Sequence, residues 1–380
     1  MKIKRCIQFF IILFTFSLNL FATSSPWVKV EDVNHLPYFG QINQQEKEEL
    51  LIAVKESLVY LNRKSAKYHY PKQHITHEKV LKSLQRFEEL LKSDLTGDAF
   101  DQKIKEEFDC YKSKGRSDKK GVLFTGYYEP LYHGSLKCEG KYQYPLYKTP
   151  LDIVFDKKQK VLGRRDENGL LVTRYWTRQD IDVKKVLKNK NLELVYLDNP
   201  YDVYQAQFQG SVAVQLSNGE IKRYGYSARN CSTVGFSLAN ELLHEGKLTK
   251  KELLPSIVAN YFYEKPHELD HYLKKNPSYV FFTERKKGPL GSLSVFLQGG
   301  RAISTDSRLF PKAALAFVDL KLYKDKKNHP FQHFVLNQDT GGAIIGPGRC
   351  DIFFGTGDKA KELASDMFSV GQLYFLFLKD

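Results

Sequence analysis

Two segments near the start of the chain have the hydrophobic spacing of amphipathic helices. In residues 43–61 and 77–93, apolar side chains recur every three or four positions, so each segment presents one apolar stripe and one polar face. The stripes consist of Leu50, Leu51, Val54, Leu58 and Leu61 in the first segment, and of Val80, Leu81, Leu84, Phe87 and Leu91 in the second. The spacing predicts helices between residue 44 and about residue 112 that pack on a core and carry no chemistry of their own.

The pattern changes after Gly121 to short runs rich in aromatic and β-branched residues. Residues 217–219, Ser-Asn-Gly, predict a β-hairpin because Asn-Gly supplies the positive φ angles that a tight turn needs. A helical stretch over about 234–273 interrupts the strands. They resume at Tyr279 and leave room for one short helix near residues 359–367. The sequence therefore predicts a mainly β protein with N-terminal helices.

Residues 1–22 have the order of a secretory signal peptide. Positive residues at the start precede a mostly apolar run over 7–21, and Ala22 ends it. The run is shorter than a transmembrane helix requires. Cleavage after Ala22 or after Ser24 stays open, because Leu20 fits the recognition site poorly. Cys6 precedes the apolar run, where a lipid-modified cysteine does not occur, so we expect an exported protein, periplasmic or associated with the outer membrane, without that lipid.

The composition gives the net charge of the protein and the number of cysteines that could form disulfides. The formal net charge is +14, and aromatic residues make up 13% of the chain, which suits both strands and sugar-stacking surfaces. The basic residues are scattered rather than gathered in blocks, so we expect a solvated basic face and no nucleic-acid partner. Four cysteines follow the leader, and an oxidising compartment would allow two disulfides, with the pairing open. They are Cys110, Cys138, Cys231 and Cys350.

Residues 267–271, His-Glu-Leu-Asp-His, match the HExxH pattern of zinc proteases. On a helix the two His would share a face, and Glu268 could activate a metal-bound water. However, Pro266 and Asn276-Pro277 leave room only for a short helix, and Asp270 places a charge where such a helix is normally buried. We expect an exposed polar helix start here rather than a metal site.

Residues 355–360, Gly-Thr-Gly-Asp-Lys-Ala, match the GxGxxA pattern of dinucleotide-binding folds. That fold needs a following strand with an acidic residue roughly twenty positions further on, within a larger sheet. The remaining sequence offers no such unit, so the pattern predicts a tight turn and no cofactor.

Three aspartates in the C-terminal part are the candidates for chemistry. Asp339 precedes Gly341 and Gly342, and adjacent glycines let a ligand approach the backbone closely. Asp351 begins an apolar strand, where desolvation favours the protonated carboxyl that a general acid needs. Asp306 lies upstream. The alternative role for all three is structural, because aspartate often caps turns through its own backbone.

Eight short stretches between residue 122 and the end resemble the membrane-bound lytic murein transglycosylase A family, whose C-terminal part is the three-aspartate domain. They are FTGYYEP (124–130), YPLY (144–147), TR (177–178), FQGS (208–211), NPSYVFF (276–282), STDSRLFP (304–311), QDTGGAI (338–344) and DIFFGTG (351–357). Their order and spacing are more specific than any single stretch, above all the run that has Asp339 and Asp351 at its two ends.

The resemblance implies a mechanism. Family members cleave the β-1,4 bond between N-acetylmuramic acid and N-acetylglucosamine without water and release a 1,6-anhydro sugar. One aspartate protonates the glycosidic oxygen and then acts as base on the 6-hydroxyl of the muramic acid. This scheme agrees with a site that has a single catalytic carboxyl. Glycosidases use two carboxylates, and an internal hydroxyl removes the need for the second one.

The resemblance also assigns residues. Asp351 matches the catalytic acid and base, and Asp339 and Asp306 match the two supporting aspartates. The further positions expected to line the glycan cleft or bind substrate are Thr125, Gln209, Gly210, Ser211, Gly341 and Gly342. No metal is implied.

The implied fold is a double-psi β-barrel domain with a second, inserted β-barrel domain and the substrate groove between them. The expected bounds are 1–22 for the signal peptide, 23–128 for the helical part of the first domain, 129–283 for the inserted barrel and 284–380 for the three-aspartate barrel. The expected partner is the glycan strand of peptidoglycan, bound by a monomer, with the cell-wall synthesis or division machinery as candidate protein partners.

The chain departs from the family at two places. Ile345 follows Gly-Ala-Ile where members commonly have Lys or Arg, and residues 229–235 shorten a run that usually contains a tyrosine. The alternative function is a non-catalytic, wall-binding double-psi barrel, because such barrels also occur as binding modules.

Overall fold

The protein is described by a computed structural model over residues 25–118, 121–157, 160–231, 235–324, 327–365 and 367–380. The predicted leader lies outside these residues. The elements up to residue 129 are β1 (Trp27–Lys29), α1 (Gln44–Leu61), α2 (His77–Lys92), α3 (Gly97–Glu107), β2 (Phe108–Ser113) and β3 (Val122–Glu129).

The N-terminal helices are confirmed, and they begin where side chains can cap them. In α1, the Asn43 side chain accepts from the N–H of Glu46 while the Glu46 carboxylate accepts from the N–H of Asn43, at 2.9 and 3.0 Å. The predicted helical range was wrong beyond Glu107. Residues 108–112 belong to β2, because this segment pairs with β1 and with a C-terminal strand, β17 (Ser369–Leu378). Long-range pairing overrides the local pattern there.

The elements after residue 300 are β13 (Ala302–Ser304), β14 (Leu315–Lys324), β15 (Lys327–Asp339), β16 (Arg349–Thr356), α9 (Asp358–Ala364) and β17 (Ser369–Leu378). Together with β3 they form a closed six-stranded barrel in the order β17–β14–β15–β13–β16–β3, and β3 pairs back with β17. The pairs β13–β15 and β16–β3 are parallel, whereas the others are antiparallel. Parallel strands from distant parts of the sequence therefore lie side by side where the aspartates are.

The elements between the two parts of this barrel form an insert. They are β4 (Leu131–Ser135), β5 (Tyr144–Tyr147), β6 (Ile153–Phe155), β7 (Val161–Arg165), β8 (Leu171–Val172), α4 (Arg178–Asp182), β9 (Glu193–Leu197), α5 (Pro200–Gln209), β10 (Ser211–Gln215), β11 (Ile221–Arg229), α6 (Leu238–His244), α7 (Pro255–Glu264), α8 (Leu269–Leu273) and β12 (Val280–Arg285). The predicted helical stretch after residue 234 is confirmed as α6, α7 and α8, and the predicted hairpin is β10–β11 with Gly219 at φ 84°.

The insert contains a second six-stranded sheet in the order β12–β11–β10–β4–β9–β5. Lys148, which follows β5, forms a parallel bridge with Phe282 of β12, so the two edges meet and the sheet closes. A separate small sheet, β6–β7–β8, lies beside it. The insert leaves the first barrel at the end of β3 and returns after β12.

Helix α1 braces the barrel at the strands that carry the aspartates. The buried side chain of Gln338 donates from Nε2 to the C=O of Ala53 and to Oγ of Ser57, at 2.8 and 2.9 Å. Arg301, before β13, donates to Glu49 Oε2 at 3.0 Å. These contacts fix the end of β15, and Asp339 is its last residue.

The four cysteines after the leader are unpaired thiols. Cys110 and Cys350 are buried, and burial raises the pKa of Cys110 to about 12. Cys350 is adjacent to Asp351 in sequence but lies in the barrel core. Of the helices in the described ranges, none has the length and apolar character needed to cross a membrane.

Candidate active site

Asp351 lies between two strands that bring candidate residues beside it. On β16 it pairs with Ser304 of β13 on one side and with Thr125 of β3 on the other. Its side chain is 23% exposed, so a substrate can reach it although most of the carboxyl is desolvated. The parallel pairing of β3 and β16 thus joins two motifs that are more than 200 residues apart in sequence.

The carboxyl of Asp351 contacts Thr125 directly, and the Arg349 guanidinium lies slightly further away. Thr125 donates its hydroxyl to Oδ1 of Asp351. Arg349 donates from Nη2 to the Thr125 hydroxyl oxygen at 3.2 Å, and the same nitrogen lies 3.7 Å from Oδ1 of Asp351. Burial raises the pKa of Asp351 to about 6, opposed by Arg349 and reinforced by the charge of Asp339. A carboxyl with this pKa can both give and take a proton near neutral pH.

Asp339 is held by three donors. Its Oδ1 accepts from the N–H groups of Ser292 and Thr340, at 2.7 and 2.8 Å, and its Oδ2 accepts from the hydroxyl of Tyr127 at 2.9 Å. Burial raises the pKa of Asp339, and these donors act against that rise. The carboxyl is therefore positioned as an acceptor whose charge acts on Asp351.

Tyr127, Ser304 and Arg349 belong to this site, and the sequence analysis missed them. The Tyr127 hydroxyl also receives a hydrogen bond from Ser304 Oγ at 3.4 Å. Side chains two positions apart on a strand face the same side, so alternation from Thr125 could have identified Tyr127, and from Asp351 it could have identified Arg349. Ser304 could be identified only from the pairing of β13 with β16.

Asp306 is buried, and its described hydrogen bonds involve residues other than Asp351. Its carboxylate accepts from Arg308 Nε and Nη2 at 2.9 and 2.6 Å and from the N–H of Gly346 at 2.8 Å. The Arg308 guanidinium, with these backbone donors, lowers the pKa of Asp306 to about 2. Gly346 lies at φ 82° in the loop that leads into β16, so Asp306 anchors this loop.

The remaining predicted positions lie in turns and at the edge of the insert. Gly341 accepts from the N–H of Ile344 at 3.0 Å, and Gly342 is exposed with open space where a Cβ would lie. Gln209 ends α5, and Gly210 follows in the left-handed conformation at φ 75°. The C=O of Gly210 accepts from Tyr226 at 2.7 Å, and Ser211 begins β10.

A cavity of about 420 Å³ lies between the insert and the barrel on one side of β3. Gly126 and Tyr128 of β3, Gln209 of α5 and Lys361 of α9 are among its lining residues. A Cβ on Gly126 would lie 2.6 Å from the Cα of Ala364, so a glycine is needed where α9 packs on the strand. Alternation on β3 places this cavity on the face opposite Thr125.

The two sequence patterns set aside earlier have other local roles. His271 lies in α8 and is 2.8 Å from Glu245, whereas His267 lies in a separate 3-10 turn and Glu268 accepts from the Tyr261 hydroxyl. In the described parts of the chain, no group of three or more His, Cys, Asp or Glu side chains is placed to hold a metal. Gly355, near the end of β16, and Gly357, between β16 and α9, have φ angles of 108° and 85°.

This chain is similar in sequence to known protein families and relatives. Two family models match the chain: the MltA specific insert domain over residues 123–283 and the 3D domain over residues 301–377. A relative from Buchnera aphidicola, described as a membrane-bound lytic murein transglycosylase A homolog, is 26% identical over 373 residues, 96% of this chain and 93% of that protein. The chain belongs to the membrane-bound lytic murein transglycosylase A family.

Other family members extend the comparison. The membrane-bound lytic murein transglycosylase A of Escherichia coli is 24% identical over 277 residues, 70% of this chain and 69% of that protein. Among solved structures, the membrane-bound lytic murein transglycosylase from Agrobacterium tumefaciens has a TM-score of 0.75 at 27% identity, covering 93% of this chain and 97% of that chain. The expected fold, a double-psi barrel with a second barrel inserted, is thereby confirmed for this member of the family.

Proposed function

We propose that this protein is a lytic transglycosylase that cleaves the MurNAc–GlcNAc bond of peptidoglycan, with Asp351 as the acid and then the base. The curated relatives are named as lytic murein transglycosylases, and a structure of E. coli MltA, with a TM-score of 0.71 and 20% identity to this chain, carries bound chitohexaose. The proposed substrate is accordingly a β-1,4 glycan strand, at the face of the barrel that carries Asp351 and Thr125.

The observation that carries the proposal is the different state of the three aspartates. Asp306 is neutralised by Arg308, and Asp339 is surrounded by three hydrogen-bond donors. Burial raises the pKa of Asp351 to about 6 and also raises the pKa of Asp339. Both carboxyl oxygens of Asp339 accept from donors, whereas Asp351 accepts from Thr125 at Oδ1 and its side chain is partly exposed. Of these three, Asp351 is the carboxyl suited to carry a transferable proton, and one such group is sufficient when the nucleophile belongs to the substrate.

The proposed reaction balances without water. Asp351 gives its proton to the glycosidic oxygen as the bond from that oxygen to C1 of the muramic acid breaks. The 6-hydroxyl oxygen of the same sugar then bonds to C1, and its proton passes to the Asp351 carboxylate, which restores the acid. The tethered hydroxyl replaces an external nucleophile at high effective concentration. The Thr125 hydroxyl holds one carboxylate oxygen in place during both transfers.

The proposed location is outside the cytoplasm, in the periplasm or associated with the outer membrane. The leader predicted over residues 1–22 supports export, and the curated relatives carry the description membrane-bound. Glycan strands are the proposed partner.

Digestion of purified sacculi tests this function. We expect wild-type protein to release muropeptides that end in 1,6-anhydromuramic acid, identified by mass spectrometry as one water lighter than hydrolysis products. Asp351→Asn should release none while still sedimenting with sacculi. Sacculus binding without any released product from the wild type would favour the non-catalytic wall-binding role and overturn the proposal.

A further inference from the structure

The small sheet β6–β7–β8 exposes a cluster of leucines. Leu151 is 100% exposed, Leu170 is 66% exposed and Leu171 is 48% exposed, although most large apolar side chains of the protein are buried in its cores. Single exposed apolar residues are ordinary on protein surfaces, whereas several together mark a site of interaction.

Backbone pairing brings these three leucines to one end of the sheet. Arg165 of β7 is the register partner of Leu171, and its N–H donates to the C=O of Asp152, next to Leu151, at 2.8 Å. The N–H of Asp166 donates to the C=O of Leu170 at 2.9 Å. We call Leu151, Leu170 and Leu171 the leucine tip.

The leucine tip is held in shape by its own turn. Asp166 Oδ1 accepts from the N–H groups of Asn168 and Leu170 at 3.0 and 2.8 Å, and Gly169 supplies a φ of 79°. Asp152 Oδ1 accepts from the Tyr175 hydroxyl at 3.1 Å. Because the turn is ordered before any contact is made, binding through the tip loses little conformational entropy.

This part of the insert is rich in basic residues. Residues 148–190 contain twelve Lys or Arg and six Asp or Glu, a net charge of +6 within a chain of +14. Arg165 and Arg174 are exposed close to the tip in sequence. A second group of exposed lysines, at positions 184, 185 and 188, lies on a turn whose Val186 and Leu187 belong to the same hydrophobic cluster as the sheet. Of the nearby carboxylates, Asp152 and Asp166 are used in holding the tip.

We propose that the leucine tip and the cations beside it dock this protein on an anionic phospholipid surface. Leucine side chains can enter the boundary between headgroups and acyl chains, while Arg and Lys stay at the level of the phosphates. Soluble anionic wall polymers and nucleic acid would also be attracted by the basic residues, but they offer no apolar phase into which the leucines could insert. This role is separate from the glycan-cleaving site, since none of these residues belongs to it.

Vesicle co-sedimentation tests the proposal. The assay uses the purified exported protein, without the apolar N-terminal run that would itself bind lipid, and vesicles of phosphatidylethanolamine with or without phosphatidylglycerol. We expect binding to the phosphatidylglycerol vesicles only. The neutral triple variant Leu151→Ser/Leu170→Ser/Leu171→Ser should weaken binding about ten-fold or more, because it removes insertion without changing the charge. Glu167→Lys should strengthen it about five-fold or more.

Leu136→Ser, at another exposed leucine outside this sheet, is the matched control and should bind as wild type. Unchanged sacculus digestion by all variants would establish that they are folded. Binding of the triple variant at wild-type strength would overturn the proposal. So would equal binding of wild-type protein to neutral vesicles, or retention of the triple variant on a soluble polyanion together with unaltered vesicle binding, which would indicate a surface for polyanions instead.

Discussion

The hydroxyl of Thr125 donates to Oδ1 of Asp351 across the parallel pair β3–β16. The two residues come from the two ends of the barrel's sequence, with the whole insert between them. The placement of the proposed acid therefore depends on the closure of the barrel and on the exit of the insert from the same strand. Arg349 extends the contact, since it donates to the Thr125 hydroxyl oxygen.

Substitutions of Thr125 should show whether its hydroxyl positions the carboxyl of Asp351. In Thr125→Val the carboxyl of Asp351 loses its direct donor, and we expect kcat on glycan strands to fall by about ten-fold or more with little change in KM. Thr125→Ser keeps the hydroxyl and should retain most of the rate. Equal rates for the Val and Ser variants would mean that the hydrogen bond does not position the acid.

The pH profile should report the pKa of Asp351. The first proton transfer needs the protonated carboxyl, and burial raises its pKa to about 6. We therefore expect kcat/KM to fall as the pH rises through about 6, measured as initial release of anhydromuropeptides over pH 4–8. A flat profile across this range would contradict the proposed role of Asp351 as the acid.

The same pKa predicts a gain in stability when Asp351 is replaced. A buried carboxyl with a raised pKa opposes folding once the pH exceeds its unfolded value near 4, and the penalty grows until the pH passes about 6, reaching about 3 kcal/mol. Asp351→Asn should be more stable than wild type at pH 8 by up to about 3 kcal/mol and equal to it near pH 4. Urea unfolding at the two pH values measures both differences. A loss of stability at pH 8 would argue against this account of the site.

Asp306 should behave in the opposite way, because its pKa is lowered to about 2. The stabilisation that the Asp306 carboxylate gives the folded protein is present above pH 4 and is lost as the pH falls towards 2. Asp306→Asn should therefore lower the free energy of unfolding by about 2 kcal/mol at pH 7 and by less at pH 3. Glu78→Gln removes an exposed ion pair with Lys82 and serves as the control, with an effect on the free energy of unfolding much smaller than that of Asp306→Asn. Equal effects of the two substitutions would show that Asp306 does not anchor the Gly346 loop.

The sequence predicted the helices, the hairpin and the family's fold, because amphipathic spacing, Asn-Gly and eight ordered motifs are local signals. It predicted the wrong structure for residues 108–112, since pairing with β17, more than 250 residues away, decides that strand. The hydrogen bonds around Asp339 were beyond it for the same reason, although strand alternation could have placed Tyr127 and Arg349 on the face that carries the site. Tyr127 reaches Asp339 and Ser304 reaches Tyr127 only after the barrel closes.

Domain bounds and the roles of Gln209, Gly210, Ser211, Gly341 and Gly342 stay predictions. Gln209 lines the cavity at the interface of the two barrels, while Gly341 and Gly342 lie in the turn after Asp339.

The most direct measurement is digestion of sacculi in water enriched in oxygen-18, followed by mass spectrometry of the released muropeptides. Intramolecular attack by the 6-hydroxyl adds no solvent oxygen, so we predict anhydromuramic ends without label from the wild-type protein and no products from Asp351→Asn. Labelled, reducing muramic ends would mean that water is the nucleophile. Products released by Asp351→Asn at the wild-type rate would mean that this aspartate is not the acid.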